Sequence, residues 1–416
     1  MFPRPLPVFP LLTLVLFLCV AAFAQEESFV SEASADNFFG IGGRAVGMSE
    51  AVVVSTKDGT AIVYNPAALT KIRRPEFYGA LSHEKFTNKT VAAHAYSAEN
   101  NLSRTRLGSL NLTVPVPTYR GALVVAFGVN RTRSFDRTFT FDSPVLDNSQ
   151  HAVEEESGGI REWSAAAAIE LSARISAGLT LTYFNGGEDY YWNYQQSSLS
   201  SDLEYIDNIE DNYSAVGLRL GALADLTQNL SAALTIDVPT KYKVEQNYIQ
   251  RTIENGSEDT EVGYYEYHLT HPFVFNGGLA FRTRTFLIEG NVGYTDWTQL
   301  EYDGDFDLED LNRDLRNSYD ESINFRFGAE YTFPQYGLIV RGGYKHDPLP
   351  FSGFFASNQI EKDRNSFSFG LSYLIDRVAM LDVGFARASY ELDNRTLDLA
   401  QEFTSSKLMF SVAYRI

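Results

Sequence analysis

Four cations stand at alternate positions in segments whose intervening residues are apolar: Arg219, Arg326, Arg341 and Lys345. If the apolar alternates face lipid, these four point to the interior of a barrel, with Asp237, Glu289, Glu330 and Asp382 as opposite charges on the same side. A guanidinium in such a lumen offers a carboxylate a fork of donors, so the four are candidate anchors for an anionic ligand headgroup. The same residues serve equally well to build ion pairs that fix an interior segment, for instance through Arg44. Leu199, Leu203, Ile206 and Ile209 fall at helical spacing, and Leu308, Leu311 and Leu315 repeat the device. Short amphipathic helices there would either offer an apolar patch to greasy ligands or pack neighbouring loops together.

Other patterns point away from chemistry. The run from Gly40 to Gly47 superficially resembles a dinucleotide-binding loop, but no strand precedes it and no helix with an acidic ribose ligand follows. Its glycines, Gly40, Gly42 and Gly43 beside Arg44, suit sharp turns in a packed segment. Asn65-Pro66, ahead of Ala67, supplies a rigid turn whose amide can bond the backbone. Asp303, Asp305 and Asp307 have the spacing of the first ligands in a calcium loop, yet Leu308 and Asp314 occupy the places of its glycine and glutamate. That run reads as a solvated acidic loop, and no metal is expected. The histidines at 83, 94, 151, 268, 271 and 346 are scattered, without a nucleophile elbow or zinc helix, so neither catalysis nor a cofactor is expected.

The elements that must position these residues follow from composition. Arg4, an apolar run from Leu11 to Phe23, and small residues at Ala22 and Ala24 make residues 1–24 a secretory signal peptide, too short to span a bilayer. The single cysteine, Cys19, lies inside it, which leaves the mature chain without thiols. The net charge is -19, and more negative once Arg4 leaves, which excludes nucleic acid as a partner. No second long apolar segment exists, yet the chain holds 30 Phe and 24 Tyr, a composition suited to the aromatic girdles of a transmembrane β-barrel.

Period-two alternation marks about fourteen segments of roughly ten residues, the length a tilted membrane-crossing strand needs, from 76–84 to 405–416. Leu123, Val125, Phe127 and Val129 form one apolar face, and Phe325, Phe327, Ala329, Tyr331 and Phe333 another. Opposite them stand small or polar residues such as Asn324, Arg326, Gly328 and Glu330. Links alternate strictly between tight turns, such as 334–336 and 375–378, and long connections at 132–160, 188–212, 242–268 and 299–321. That alternation favours an all-β, about 14-stranded antiparallel up-and-down barrel over a soluble sandwich. Its long loops would be extracellular and its termini periplasmic. Residues 76–416 form the barrel, and residues 25–75, rich in Gly and Ala, are expected to enter the lumen as a plug.

Within that plug, Gly40-Ile41-Gly42-Gly43-Arg44-Ala45-Val46-Gly47-Met48, Ala51-Val52-Val53-Val54 and Ala61-Ile62-Val63-Tyr64-Asn65-Pro66-Ala67 resemble the N-terminal hatch of the FadL/TodX family, outer-membrane transporters of long-chain fatty acids and hydrocarbons. Arg326-Phe327-Gly328-Ala329-Glu330-Tyr331 and Val340-Arg341-Gly342-Gly343-Tyr344-Lys345-His346-Asp347-Pro348-Leu349-Pro350 resemble a later stretch of the same family. Ser49-Glu50 stand where the family often has two glycines, Ala68 replaces a frequent glycine, and Ile416 stands where Phe is usual.

The resemblance implies passive uptake of hydrophobic molecules, most of all long-chain fatty acids. Ligand would be captured at extracellular loops, passed on by hatch movement and released sideways where the third strand kinks, with Gly128 as the candidate for that kink. It also implies that Asn65, Pro66 and Ala67 lie near the substrate path. Outer-membrane lipid and the barrel-assembly machinery are the expected partners. A barrel of a protein secretion or surface-shuttle system, which shares the hatch, and a general diffusion porin are the alternatives; a plug argues against the porin.

Overall fold

A computed structural model describes residues 40–416 except 93–95, 146–147, 199–200, 305–307, 351–357, 377 and 395–398. The expected signal peptide at 1–24 lies outside the described residues, as do Leu199, Asp305 and Asp307. Two short helices come first, α1 (Gly43–Val46) and α2 (Ala61–Tyr64), followed by a 3-10 turn at Pro66–Lys71. The strands are β1 (Glu76–Ala92), β2 (Tyr96–Val116), β3 (Leu123–Arg131), β4 (Arg137–Val145), β5 (Asn148–Ser172), β6 (Ile175–Ser198), β7 (Asp202–Asp225), β8 (Leu230–Asp237), β9 (Thr240–Glu254), β10 (Ser257–His271), β11 (Val274–Arg282) and β12 (Phe286–Asp296). They continue with β13 (Glu301–Gly304), β14 (Glu321–Phe333), β15 (Leu338–Asp347), β16 (Asn358–Ile375), β17 (Ala379–Asn394) and β18 (Leu399–Arg415), and one helix, α3 (Glu309–Ser318), precedes β14.

Fourteen of these strands form the wall; β4, β9, β10 and β13 belong to an extension above it. All ladders are antiparallel, and β1 pairs with β2 on one side and β18 on the other, so the sheet closes and no wall edge is left open. The alternation legible in the sequence is the alternation of exposure. Leu81, Phe127, Phe325, Phe327, Phe369 and Phe410 lie outside, about half exposed or more, while their chain neighbours are mostly buried or partly buried within. An exposed apolar belt of this extent is a lipid-facing surface.

The connections read as long loops are largely sheet. β5, β6 and β7 run 24 or 25 residues, well beyond a membrane crossing; β4 pairs onto β5, β9 onto β7, and β10 onto β9. The helix expected from Leu203 and Ile206 is corrected by this: both lie in β7, where Leu203 pairs with Gln196 and Ile206 with Asn193 of β6. Their three- and four-residue spacing is incidental to a strand whose neighbours supply a complete hydrogen-bond ladder. Leu308, Leu311 and Leu315 do mark a helix, α3, and they pack against Trp297, Tyr302 and Tyr319 instead of facing outward. β3 ends at Arg131, and residues 132–136 turn inward with Phe135 buried. That turn nests on Gly159, held at φ 146, where an added Cβ would lie 2.3 Å from the Arg133 carbonyl oxygen.

Candidate functional site: hatch and chamber

The segment from Gly40 to Ile72 fills the lumen toward the tight-turn end. Ile41, Met48, Val52, Ile62 and Leu69 are fully buried against wall residues that include Val124, Ala126, Ala168 and Leu223. Each such side chain contributes ~1.5–3 kcal/mol to keeping the segment inside. The wall is cut to receive it. A Cβ on Gly343 would lie 2.4 Å from the Met48 carbonyl carbon, and one on Gly384 would lie 2.2 Å from the Gly43 carbonyl oxygen. Glycines on the inward face of the strands thus let two backbones touch.

Polar contacts fix the register. The Lys407 ammonium donates to the Gly40 carbonyl at 3.0 Å, and the Gly43 amide donates to Ser411 Oγ at 3.0 Å. Asn65 is fully buried: its Oδ1 accepts from the Ala67 amide at 3.0 Å, and its Nδ2 donates to the Val53 carbonyl at 2.9 Å. Pro66 leads the 3-10 turn that follows, and Ala67 is buried with it. The Tyr64 hydroxyl accepts from the Ile41 amide at 2.8 Å. Burial, and next the charge of Glu50, push its phenol well above the usual range, so it stays a neutral hydroxyl.

Two chains of buried charge join hatch to wall. In the first, Glu330 Oε2 lies 3.1 Å from Arg44 Nε and 2.8 Å from Arg341 Nε, and Arg341 reaches Asp382 at 3.2 Å. In the second, Lys345 lies 3.5 Å from Glu50 and 2.9 Å from Asp347, which Arg364 meets at 2.6 Å. Glu289 accepts from the Val54 amide at 2.7 Å. Ser49 and Glu50 sit at φ 48 and 63, the left-handed region that glycine adopts freely and other residues at a cost of ~1–3 kcal/mol. Of the three positions that depart from the family's glycines, Ser49 and Glu50 are therefore the strained ones and Ala68 is not, and both are tied to the wall: Ser49 Oγ is 2.8 Å from Ser368 Oγ, and Glu50 pairs with Lys345.

Above the hatch lies a chamber of about 230 Å³. Arg219, Arg326 and Lys345 line it; Arg341 does not, being enclosed in the first charge chain. Arg219 is held by Asp237 at 2.5 Å with Glu162 at 3.9 Å. Arg326 donates to Asn324 at 3.0 Å and to Asn276 at 2.9 Å, and no carboxylate of the described residues lies within ion-pair distance. Arg133, which sequence reasoning missed, is the second such guanidinium. It lies 3.1 Å from His271 Nε2 and over the Tyr242 ring at 5.5 Å. Phe184, Tyr242, His271 and Trp297 form a run of rings along this part of the chamber, with successive centroids 5.3, 5.5 and 5.6 Å apart.

Gly128 is not a kink in this structure, because β3 pairs through it on both sides, with Asn111 of β2 and Ser164 of β5. The chain leaves the ladder only after Arg131. Gly128 does line an apolar groove of about 940 Å³ on the outer wall, together with Leu110, Phe127, Trp163 and Leu181. On its inner side the Asn111 amide occupies the space a side chain would take, 1.7 Å from an added Cβ. Asn111 and Asn130 exchange amide hydrogen bonds at 3.0 and 3.1 Å across this spot.

A family model described as outer membrane protein transport protein (OMPP1/FadL/TodX) matches residues 17–396. The chain is similar in fold to the Pseudomonas putida toluene transporter TodX, at 12% identity, a TM-score of 0.63, and coverage of 91% of this chain and 99% of that one. A Pseudomonas aeruginosa FadL homologue gives 11%, 0.63, 91% and 99%. The Ralstonia pickettii toluene transporter TbuX gives 11%, 0.57, 91% and 99%. No curated protein sequence matches the chain.

Proposed function

Since the chain belongs to the outer membrane protein transport family (OMPP1/FadL/TodX), whose barrels carry hydrophobic compounds, we propose that its own substrates are long-chain fatty acids taken up passively. The observation that carries this reading is the pair of chamber guanidiniums, Arg133 and Arg326, that have no carboxylate partner among the described residues. A fatty acid supplies the missing carboxylate, and its chain lies against Phe184, Tyr242, Val274 and Trp297. The tight turns face the periplasm and the sheet extension faces outward. Ligand enters past the extension, reaches the chamber, and leaves when the hatch shifts.

The exit is sideways at Gly128 and requires the ladder to part there; the Asn111 amide covers the inner side of this glycine and an apolar groove lies on its outer side. A second reading, neutral aromatic hydrocarbons, is favoured by the run of rings from Phe184 to Trp297.

The two readings separate in one experiment: uptake of labelled oleate and of labelled toluene by cells lacking their own transporter and expressing either the native chain or the R133Q/R326Q variant. Losing charge-assisted hydrogen bonds worth ~1.5–3 kcal/mol is expected to cut oleate uptake by roughly ten-fold to a hundred-fold and to leave toluene uptake intact. Unchanged oleate uptake by the variant would refute the carboxylate assignment, and toluene uptake with no oleate uptake by the native chain would favour the second reading.

A further inference from the structure

The outward face of the wall is apolar in register across five strands. From the tight-turn end, Ile375, Ala379, Tyr414, Phe77 and Leu112 align across β16, β17, β18, β1 and β2; further up, Leu371, Val383, Phe410, Leu81 and Leu107 do the same. Phe369, Phe385 and Leu408 then align with His83 and Thr105. In the next row the chemistry changes abruptly to Arg387, Ser406, Lys85 and Ser103, beside Phe367. Ser389, Thr404, Thr87 and Asn101 follow, and carboxylates return only in the row after that, where Glu391, Glu402 and Glu99 stand near Lys89.

Lys85 and Arg387 are exposed, and neither has an ion pair among the described residues, in a chain with 53 carboxylates against 34 Lys and Arg. Most interior cations of the hatch and chamber are paired with carboxylates, whereas Lys85 and Arg387 share one outward row with only Ser406 between them. They sit two strands apart, roughly 10 Å between backbones. Both side chains can therefore converge on one group placed over Ser406. Hydroxyls of Ser103, Ser406 and Thr105 supply further donors around it, and Thr105 is held by His83 at 2.9 Å.

We propose that this row binds the phosphate of an anionic lipid in the leaflet at the extended end of the barrel, its acyl chains lying on Phe367, Phe369, Phe385 and Leu408. Position selects a lipid as the source. The cations stand immediately above an apolar band, where a headgroup phosphate meets the hydrocarbon boundary and long basic side chains reach it. That the leaflet is the outer one rests on the orientation proposed for the barrel; the binding itself does not.

Native mass spectrometry of the purified barrel, exchanged into detergent with diphosphorylated lipid A, phosphatidylglycerol or phosphatidylethanolamine, tests the site without any transport readout. The expected result is retention of lipid A, and more weakly of phosphatidylglycerol, over phosphatidylethanolamine, with that preference lost in K85Q/R387Q. R174Q, at the opposite rim, should keep it. Heat-dependent gel migration verifies that each variant remains a folded barrel, and a second pair, K85R/R387K, should keep the preference. Equal retention of all three lipids, an unchanged preference in K85Q/R387Q, or protection by inorganic phosphate alone without lipid selectivity would overturn the proposal.

Discussion

Gly343→Val is expected to open the barrel to ions without unfolding it. A Cβ at Gly343 would stand 2.4 to 2.7 Å from three backbone atoms of Met48 and Ser49, and none of these is the flexible end of a side chain. Valine adds two further carbons in the same space, so the hatch must withdraw from the wall. The segment it pushes against is the strained Ser49-Glu50 pair, whose ties to Ser368 and Lys345 are the first to break. Overpacking of this kind costs ~1–3 kcal/mol, which displaces the segment locally around Ser49-Glu50 without expelling the hatch and is small beside a closed ladder of fourteen strands. In planar bilayers the native protein should show little conductance and the variant a stepwise, water-filled one. Gly290→Val is the matched control, because a Cβ at Gly290 meets nothing within 4 Å. A closed Gly343→Val channel would mean that the hatch does not rest on this part of the wall.

Arg341→Met should cost the fold more stability than Gly343→Val or the loss of either chamber guanidinium. Arg341 joins Glu330 and Asp382, and all three side chains are almost wholly buried. Removing the guanidinium leaves Asp382 with the Ser372 hydroxyl as its remaining close partner and leaves Glu330 to Arg44 and Lys57. Breaking a buried pair from one side costs ~3–5 kcal/mol, because the other charge stays buried and uncompensated. The double variant R341M/D382L removes that orphan and should recover much of the loss. Urea unfolding in detergent, followed by tryptophan fluorescence, measures both. Equal stability of the single variant and the native chain would show that the cluster is hydrated and loosely held.

Much of this architecture could be read from residues alone, for a physical reason. A wall strand between lipid and lumen must alternate, and Phe325, Phe327 and Tyr331 against Arg326 and Glu330 leave no other element open to that segment. The glycine-rich segment around Gly40–Gly47 was legible as a packed insert. The extension was not, because its inward face carries Glu154, Glu156, Tyr190 and Trp192 together, and acid and ring on one face give no apolar period. Arg133 was lost with it, because it has the parity of the lipid-facing Phe127 and Val129, and only the turn after Arg131 brings it into the chamber. The spacing of Leu203, Ile206 and Ile209 suggested a helix because a short run fits either period, and only pairing with β6 and β9 decides. Nor could sequence say that Arg341 serves the hatch and Arg326 the chamber, since strand position fixes a side chain's face and not its depth.

If substrate passes only when the hatch moves, fixing the hatch to the wall must stop it. Ser49 Oγ and Ser368 Oγ are 2.8 Å apart, one on the hatch and one on the wall, and the mature chain expected after removal of residues 1–24 has no cysteine of its own. The S49C/S368C variant can therefore be locked by oxidation and released by reductant. Oleate uptake is expected to be abolished in the oxidised barrel and restored on reduction, with the single-cysteine variants unaffected by either. Full uptake through a hatch shown to be crosslinked would contradict gating by the hatch.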